Sequence, residues 1–374
     1  MDTERIINEV PKVLLHDHLD GGLRPSTIIE LASEIKYNKL PTQDSGELAV
    51  WFHSGANKGN LTEYLEGFDH TTAVMQTKES LERVAYEMME DMKKDGVCYV
   101  ETRFAPSFHL GKGLYAEDVV KAVLAGLEKG RADFDVGYGL ILCGMRNMKN
   151  TLEIAELAVN FRSMGVIGFD LAGEEGGYPP KKHLDAFQFI QRANFNITIH
   201  AGEAFGKESI WQAIQWCGAH RIGHATHLRE DITFDKDGNV VGFGDLAQYV
   251  LDKRIPLEIC LLSNLHTGAV DRIENHPFGT LYKEKFRVTI NTDDRLMSDT
   301  TMTKEFVTAI EVFGLNLEDV EKITINSMKS AFIPYKERLH YIYEVIKPGF
   351  QKTRDKLLSL KNYSGEYEKT VHKL

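Results

Sequence analysis

The chain has 374 residues, and its 43% hydrophobic and 26% charged residues are typical of a soluble globular protein. Its 55 acidic and 44 basic residues give a formal charge of −11, which argues against binding to duplex nucleic acid, because that binding relies on neutralising phosphates. The start of the chain lacks a signal-peptide core, no apolar run approaches the roughly 18 residues of a membrane span, and the four cysteines are scattered, so we expect a cytoplasmic protein with free thiols.

Short apolar runs typical of strands alternate along the chain with longer amphipathic segments. In chain order, the predicted strands are residues 13–16, 97–103, 136–142, 166–171, 197–200, 221–224, 256–260 and 288–293. The clearest predicted helix is 79–94, with apolar residues at helical spacing and Gly96 as its stop, and 151–164 repeats this pattern. Strands that alternate with helices predict parallel βαβ units, either in an open doubly wound sheet or in a closed barrel.

Three segments depart from this alternation. Residues 36–77 form an insertion after the first strand, which we expect to carry short helices over one mouth of the barrel. Residues 233–243 are predicted to form a hairpin that turns at Asp237-Gly238. Residues 331–374 are predicted to be a helical tail whose Lys-rich end is mobile. We expect the whole chain, 1–374, to be one domain with these additions.

Histidines and carboxylates stand at the ends of the predicted strands. His16 and His18 lie two residues apart on one strand and so share a face, from which both imidazoles can reach one cation. His200 ends the fifth strand and Asp293 ends the eighth. Because strand ends meet at one mouth of a closed barrel, where active sites form, these positions favour a (β/α)8 barrel. Three histidines and one carboxylate suit zinc or a similar divalent ion, with space left for water.

Three more polar residues lie close to these candidate ligands. Glu203 follows His200 by three residues, His224 ends the sixth strand, and Asp294 follows Asp293. As side chains that do not bind the metal, they are predicted to be titratable neighbours of its water. A structural zinc site would need no such neighbours, which counts against a barrel that only binds a partner or nucleoside without turnover.

Five motifs resemble signatures of the adenosine deaminase family. They are LHDHLDG (15–21), DLAGEE (170–175), TIHAGE (198–203), RIGH (221–224) and NTDD (291–294), in the family's order. The resemblance runs from about residue 11 to about residue 330. It implies an amidohydrolase-type (β/α)8 barrel that converts adenosine and 2′-deoxyadenosine to inosine and 2′-deoxyinosine with release of ammonia, a reaction of purine salvage.

Carried over position by position, the resemblance implies a role for each matching residue. One zinc ion per chain would be held by His16, His18, His200 and Asp293, and the catalytic residues would be Glu203, His224 and Asp294. Substrate contacts would come from His18, Asp20, Gly173 and Asp294, and from Leu61, Tyr64 and Phe68, which match a helix that closes an apolar lid. Glu203 would protonate ring nitrogen N1, while His224 and Asp294 would orient the water that attacks C6.

Some features depart from the family pattern or leave alternatives open. Asp17 is acidic where many relatives have a small or apolar residue, and we expect it to support the site from behind or to lie on the surface. His266 is an extra histidine, expected at the rim and not as a ligand. Many amidohydrolases that cleave other bonds use two metals bridged by a modified Lys, but residues 169–171 contain none, which favours one metal. A deaminase of adenine or of a modified adenine nucleoside is the alternative reading, and the oligomeric state stays open.

Overall fold

The computed structural model describes residues 2–363, and within them eight parallel strands form the walls of a barrel. Neighbouring strands pair in chain order, and helices cross between them on the outside, as in βαβ units. The barrel strands are β1 (Lys12–His18), β2 (Val97–Phe104), β3 (Gly137–Met145), β4 (Val166–Ala172), β5 (Asn196–Ala201), β6 (Arg221–His224), β7 (Leu257–Ile259) and β8 (Val288–Ile290).

The barrel closes where β1 meets the segment that follows β8. Asp17 and Asp293 form a parallel bridge, in which the amide of His18 donates to the carbonyl of Asp293 at 2.8 Å. The amide of Asp293 donates in turn to the carbonyl of His16 at 3.0 Å. The prediction of a (β/α)8 barrel is therefore confirmed, and the open sheet is excluded. The predicted eighth strand was too long, because the ladder ends at Ile290 and the chain turns with a positive φ at Asp293.

The α-helices of the described residues surround the barrel or cover its mouth. They are α1 (Thr3–Glu9), α2 (Pro25–Glu34), α3 (Ser45–Ala56), α4 (Leu61–Leu65), α5 (Phe68–Val74), α6 (Lys78–Lys94), α7 (Ala116–Phe134), α8 (Thr151–Asn160), α9 (Leu184–Arg192), α10 (Lys207–Gln215), α11 (Asp245–Lys253), α12 (Leu261–His266), α13 (Phe278–Lys283), α14 (Met302–Phe313), α15 (Leu317–Ser330), α16 (Tyr335–His340) and α17 (Lys347–Tyr363). No helix within residues 2–363 has the length and apolar character needed to cross a bilayer.

The predicted helices are present with small changes at their ends. The predicted helix 79–94 is α6, which begins after the capping side chain of Thr77 and buries its stripe of Leu, Val and Met residues. The predicted helix 151–164 is α8 followed by a separate turn of 3-10 helix, Arg162–Met164. The four cysteines are free, and three of them are buried, as expected for core-filling thiols.

The segments that depart from the βα alternation also have the predicted structures. Residues 36–77 contain the short helices α3, α4 and α5. Ile232–Phe234 and Val240–Phe243 pair as antiparallel strands, which confirms the hairpin. The tail is continuously helical from Tyr335 to Tyr363, with a π-helical segment at Tyr341–Ile346, whereas the predicted mobile end at 364–374 lies outside the described residues.

A network of charged side chains fills part of the barrel interior. Arg221 donates from Nε to Glu258 Oε1 at 2.5 Å and from Nη1 to Glu101 Oε2 at 2.6 Å. Arg103 donates from Nη2 to Glu258 Oε2 at 3.0 Å and from Nη1 to Asp170 Oδ2 at 3.1 Å. All five side chains are almost completely buried, so each charge depends on its partners for compensation.

This network predicts a large effect on stability. We expect Arg221→Met to lower the free energy of unfolding by about 3–5 kcal/mol, because Glu101 and Glu258 lose a shared counter-charge while they remain buried. Urea denaturation at a fixed metal concentration measures this loss. The matched control is Arg24→Met, which breaks partly exposed ion pairs with α6 and is expected to cost at most about 1 kcal/mol. Equal losses in the two variants would contradict the prediction.

Candidate active site

A cavity of about 280 Å³ opens at the carboxyl ends of the barrel strands. Its wall combines polar side chains at the strand ends with residues of the insertion and with apolar residues at or shortly after the ends of β2, β3 and β4. Of the predicted site residues, those that line the cavity are His18, Asp20, Leu61, Tyr64, Phe68, Gly173, His200, Glu203, His224, Asp293 and Asp294. The remaining one, His16, is fully buried and contacts this group from β1. The structure thus brings together every residue that the sequence singled out for the site.

The four predicted metal ligands point their donor atoms at one another. His16 Nε2 lies 2.9 Å from Asp293 Oδ1, and His18 Nε2 lies 3.5 Å from the same oxygen. His18 Nε2 and His200 Nε2 are 3.1 Å apart. His224 also belongs to this cluster, because one of its ring nitrogens lies within 4.8 Å of donor atoms of His16, His200 and Asp293. Distance alone therefore does not distinguish the ligands from their neighbour.

The contacts of the Nδ1 atoms of His16 and His200 show whether a cation can lie between their Nε2 atoms. His16 Nδ1 lies 2.8 Å from Glu258 Oε2, and His200 Nδ1 lies 3.0 Å from Asp170 Oδ2. A carboxylate only accepts, so each Nδ1 carries a proton, and in the neutral imidazole that a metal binds each Nε2 directs a lone pair inwards. His16 Nε2 is buried and has no hydrogen-bond partner among residues 2–363, although Asp293 Oδ1 lies beside it. A metal cation satisfies this arrangement, and carboxylates behind histidine ligands are its usual support.

The two supporting carboxylates are held in their charged form. Burial alone would raise the pKa of Glu258, but the charges of Arg103 and Arg221 outweigh it and hold that pKa well below its ordinary value. Burial opposes ionisation of Asp170 too, and the charges of His200 and Arg103 bring its pKa below the ordinary range. Both carboxylates can therefore accept hydrogen bonds from the Nδ1–H groups of His16 and His200.

These supporting residues were not singled out from the sequence. Arg103, Glu258 and Asp170 lie within the buried strands β2, β7 and β4. A charged residue within a buried strand is unusual unless it is paired, so the position of each residue in the sequence already indicates a paired buried charge. The sequence does not identify the partner, because the partners come from distant strands.

Glu203 is buried next to His224. Its Oε2 lies 3.6 Å from His224 Nε2, and its Oε1 accepts a hydrogen bond from Thr267 Oγ1 at 3.0 Å. Burial, followed by the negative charges of Asp293 and Glu175, raises the pKa of Glu203 well above its ordinary value. This shift favours the protonated form of the carboxyl group, the form that a general acid needs.

A second glutamate, Glu175, holds the loop that carries Glu203. Its two carboxylate oxygens accept four consecutive backbone N–H groups, those of Gly202, Glu203, Ala204 and Phe205, at 2.7–3.0 Å. This pattern fixes the direction in which the loop leaves β5. Glu175 belongs to the DLAGEE motif, but its role is not visible in the sequence, because its targets are backbone groups that only the fold brings near.

Asp294 and Asp20 also line the cavity. Asp294 is buried, and its pKa is raised well above the ordinary value by burial and then by the charges of Asp293 and Asp20. Asp20 Oδ2 lies 3.6 Å from His109 Nε2. In the part of the chain that the structure describes, the buried Oδ1 of Asp20 has no hydrogen-bond partner. That oxygen remains available to a polar group of a bound molecule.

The insertion contributes the apolar wall. Tyr64, on α4, is almost completely buried, and its hydroxyl lies 2.9 Å from Ser298 Oγ. The ring of Phe68 makes an edge contact with the ring of His18, with centroids 6.5 Å apart. On the facing side, Gly173 has a φ of +97°, a conformation that favours glycine, and so presents its backbone to the cavity. That these helices open and close as a lid stays a prediction.

Asp17 and His266, the two unusual residues, have defined places. Asp17 is fully buried and accepts hydrogen bonds from Thr292 Oγ1 at 2.9 Å and Arg295 Nε at 2.8 Å, so the surface alternative was wrong and it braces the loop after β8. His266 packs against the ring of His53, with centroids 5.0 Å apart, and is not among the residues that line the cavity. Its position agrees with the prediction that it is not a ligand.

Comparison with known proteins places this barrel in a family. The family model described as adenosine deaminase matches residues 11–348. The chain is 54% identical over 357 residues to adenosine deaminase 1 of Streptomyces coelicolor, covering 94% of this chain and 90% of that protein. It is 52% identical over 355 residues to adenosine deaminase of Mycobacterium ulcerans, with coverage of 94% and 98%.

A solved structure shares the fold of this chain and supports the same superfamily. The adenine deaminase of Arthrobacter aurescens superposes with a TM-score of 0.80 at 25% identity, covering 90% of this chain and 98% of that one. The match of the family model extends over most of the chain, and the curated relatives share about half of its residues. This chain therefore belongs to the adenosine deaminase family, a family of metal-dependent hydrolases.

Proposed function

We propose that this protein hydrolyses adenosine and 2′-deoxyadenosine to inosine and 2′-deoxyinosine and releases ammonia. The observation that carries the proposal is the placement of a buried Glu203, whose pKa is raised, beside a cluster of histidines and Asp293 in one cavity. A nucleophile, an acid and a binding cavity for a purine are the parts that this reaction needs. The names of the relatives from Streptomyces coelicolor and Mycobacterium ulcerans support the same activity.

The proposed cofactor is one zinc ion per chain. His16, His18, His200 and Asp293 would hold it, because three imidazoles and one carboxylate are a donor set that zinc prefers. When bound, a divalent metal acidifies water and supplies a nucleophile at neutral pH. β4 contains no Lys that could bridge two metals, and its Asp170 contacts His200, so this strand favours a site with a single metal.

The remaining side chains have separate parts in the proposed reaction. Glu203 delivers its proton to ring nitrogen N1 while oxygen adds at C6, which removes the aromatic stabilisation of the ring in a single step. His224 and Asp294 orient the attacking water and stabilise the charge that develops on it. Leu61, Tyr64 and Phe68 cover the base and exclude bulk water, which strengthens the polar interactions inside.

Asp20 is the residue that we propose to distinguish a nucleoside from a free base. Its buried Oδ1 has no partner within residues 2–363 and can accept a hydrogen bond from the ribose 5′-hydroxyl. A substrate without that hydroxyl leaves the buried oxygen unpaired, at a cost of about 1–3 kcal/mol. The alternative substrate is adenine itself, and the similarity to the adenine deaminase of Arthrobacter aurescens supports this alternative.

Competition among three substrates tests this assignment. We expect adenosine to be turned over well, 5′-deoxyadenosine to show a kcat/KM lower by about 10- to 100-fold, and adenine to react least. Ultraviolet absorbance and ammonia release measure each rate. Asp20→Ala should reduce the preference for the 5′-hydroxyl and keep the metal, which metal analysis checks. Turnover of adenine equal to or faster than that of adenosine would reject the nucleoside and favour the free base.

A further inference from the structure

A chain of hydrogen bonds enters the site from behind His224. The amide N–H of Phe278 lies 3.0 Å from His276 Nδ1, and His276 Nε2 lies 3.1 Å from Asn264 Oδ1. Asn264 Nδ2 then lies 2.9 Å from His224 Nδ1. The three side chains are all buried, at 0–2% exposure, so each polar atom in the chain needs its partner.

The first donor determines the direction of every bond in this chain. A backbone N–H can only donate, so Nδ1 of His276 accepts and its proton is on Nε2. Burial lowers the pKa of His276 to about 3, so the ring is neutral and carries only that proton. Its Nε2–H must then donate to Asn264 Oδ1, which leaves the Asn264 NH₂ group facing His224. His224 Nδ1 therefore accepts, and the proton of a neutral His224 is on Nε2.

This tautomer is the opposite of that of the candidate ligands beside it. His16 and His200 donate from Nδ1 to Glu258 and Asp170, and their Nε2 lone pairs face the centre of the cluster. His224 instead carries a proton on the nitrogen that faces the cavity, and a protonated nitrogen cannot bind a metal. The distances placed His224 among the ligands, whereas its hydrogen bonds exclude it from them.

The same amide reaches the proposed acid. Asn264 lowers the pKa of the Glu203 carboxyl group, against the larger opposing effects of burial and of the charge of Asp293. His224 Nε2 in turn lies 3.6 Å from Glu203 Oε2, so the two side chains face the same part of the cavity.

We propose that Asn264 and His276 are positioning residues that hold His224 as a donor of an Nε2 hydrogen bond and keep it from binding the metal. The donor is directed at the water or oxygen that reacts, so the effect of these residues on turnover rests on the proposed function. The tautomer itself does not rest on that function. It follows from the hydrogen bonds alone, and it can be measured without substrate.

Nitrogen-15 NMR of the zinc-loaded protein, labelled at histidine, measures the tautomer directly. The signals of His224 are assigned by their loss in His224→Gln. In the wild-type protein we expect a protonated Nε2 and an unprotonated Nδ1 for His224. A protonated Nδ1, or an Nε2 with the shift of a metal-bound nitrogen, would overturn the proposal. This measurement uses the wild-type protein and needs no variant in the network to fold.

Asn264→Asp then reverses the direction of the hydrogen bond between residue 264 and His224, with little change in side-chain shape. A carboxylate still accepts from His276, but it also accepts from His224, so we expect the proton of His224 to move to Nδ1. We expect kcat to fall by about 10²-fold or more with KM changed by less than about threefold, because a donor to the reacting group is lost while ground-state binding is kept. An unchanged tautomer in this variant would show that Asn264 does not set it.

Variants of the neighbouring residues provide the controls. His276→Gln retains a donor for Asn264 Oδ1 and is expected to keep the His224 tautomer, whereas His276→Leu removes the donor and should give a mixture of tautomers. Asn275→Ala, at an exposed residue of the same loop, should change nothing. If wild-type protein shows the expected tautomer but fails to deaminate adenosine, the proposed function fails and the positioning of His224 stands.

Discussion

Replacing His200 by alanine is expected to remove the bound metal and to lower the turnover of adenosine by more than about 10⁴-fold. His200 Nε2 lies 3.1 Å from His18 Nε2 at the centre of the ligand cluster, and Asp170 holds its other nitrogen in place. A bound divalent metal would lower the pKa of the attacking water towards neutrality, and without it that pKa is far higher, so little hydroxide is present at neutral pH. The loss of one ligand should therefore abolish activity.

Metal analysis and kinetics together measure this effect. Wild-type protein should contain about one zinc per chain. Chelation should abolish activity and added zinc should restore it. In His200→Ala we expect neither bound metal nor restoration. The matched control is Glu203→Gln, a change three residues away that removes no ligand and should keep the metal. Two tightly bound ions per wild-type chain would reject the single-metal site, even if His200→Ala behaved as predicted.

Glu203→Gln is expected to lower kcat by about 10²–10⁴-fold, the usual value of general acid–base catalysis. The substitution preserves shape and the hydrogen bond from Thr267, but an amide cannot release a proton to ring nitrogen N1. The raised pKa of Glu203 favours the protonated form that this role needs, and its causes are burial and the charges of Asp293 and Glu175.

Two measurements separate this role from binding. Steady-state kinetics give kcat, and calorimetry gives the Kd of inosine, which we expect to change by less than about threefold because ground-state contacts are kept. Unfolding by urea should show that Glu203→Gln is folded and as stable as wild type within about 1 kcal/mol. A variant with near-normal kcat would transfer the acid role to another residue, and His224 would be the first to test.

Much of this architecture follows from local patterns. Strand and helix periodicities depend on neighbouring residues in the chain, so the alternation that predicts a barrel is readable along it. His16 and His18 share a face because they are two residues apart on β1, and this remains true in any fold that contains the strand. The polar residues at strand ends converge because the barrel places all those ends at one mouth. The predicted ligands and their neighbours accordingly lie in one cavity.

The tertiary structure decided the features that depend on residues distant in the chain. Glu258 supports His16 from 242 residues away, and Asp17 is buried because Arg295 neutralises it across the closure of the barrel. The sequence shows that these residues are charged, but the energy of a buried charge depends on its partner and not on its neighbours in the chain. The proton of His224 depends in the same way on Asn264, whose orientation His276 sets. Residue types and their spacing were therefore enough to find the site, whereas pairing across the barrel decided which atoms carry charges and protons.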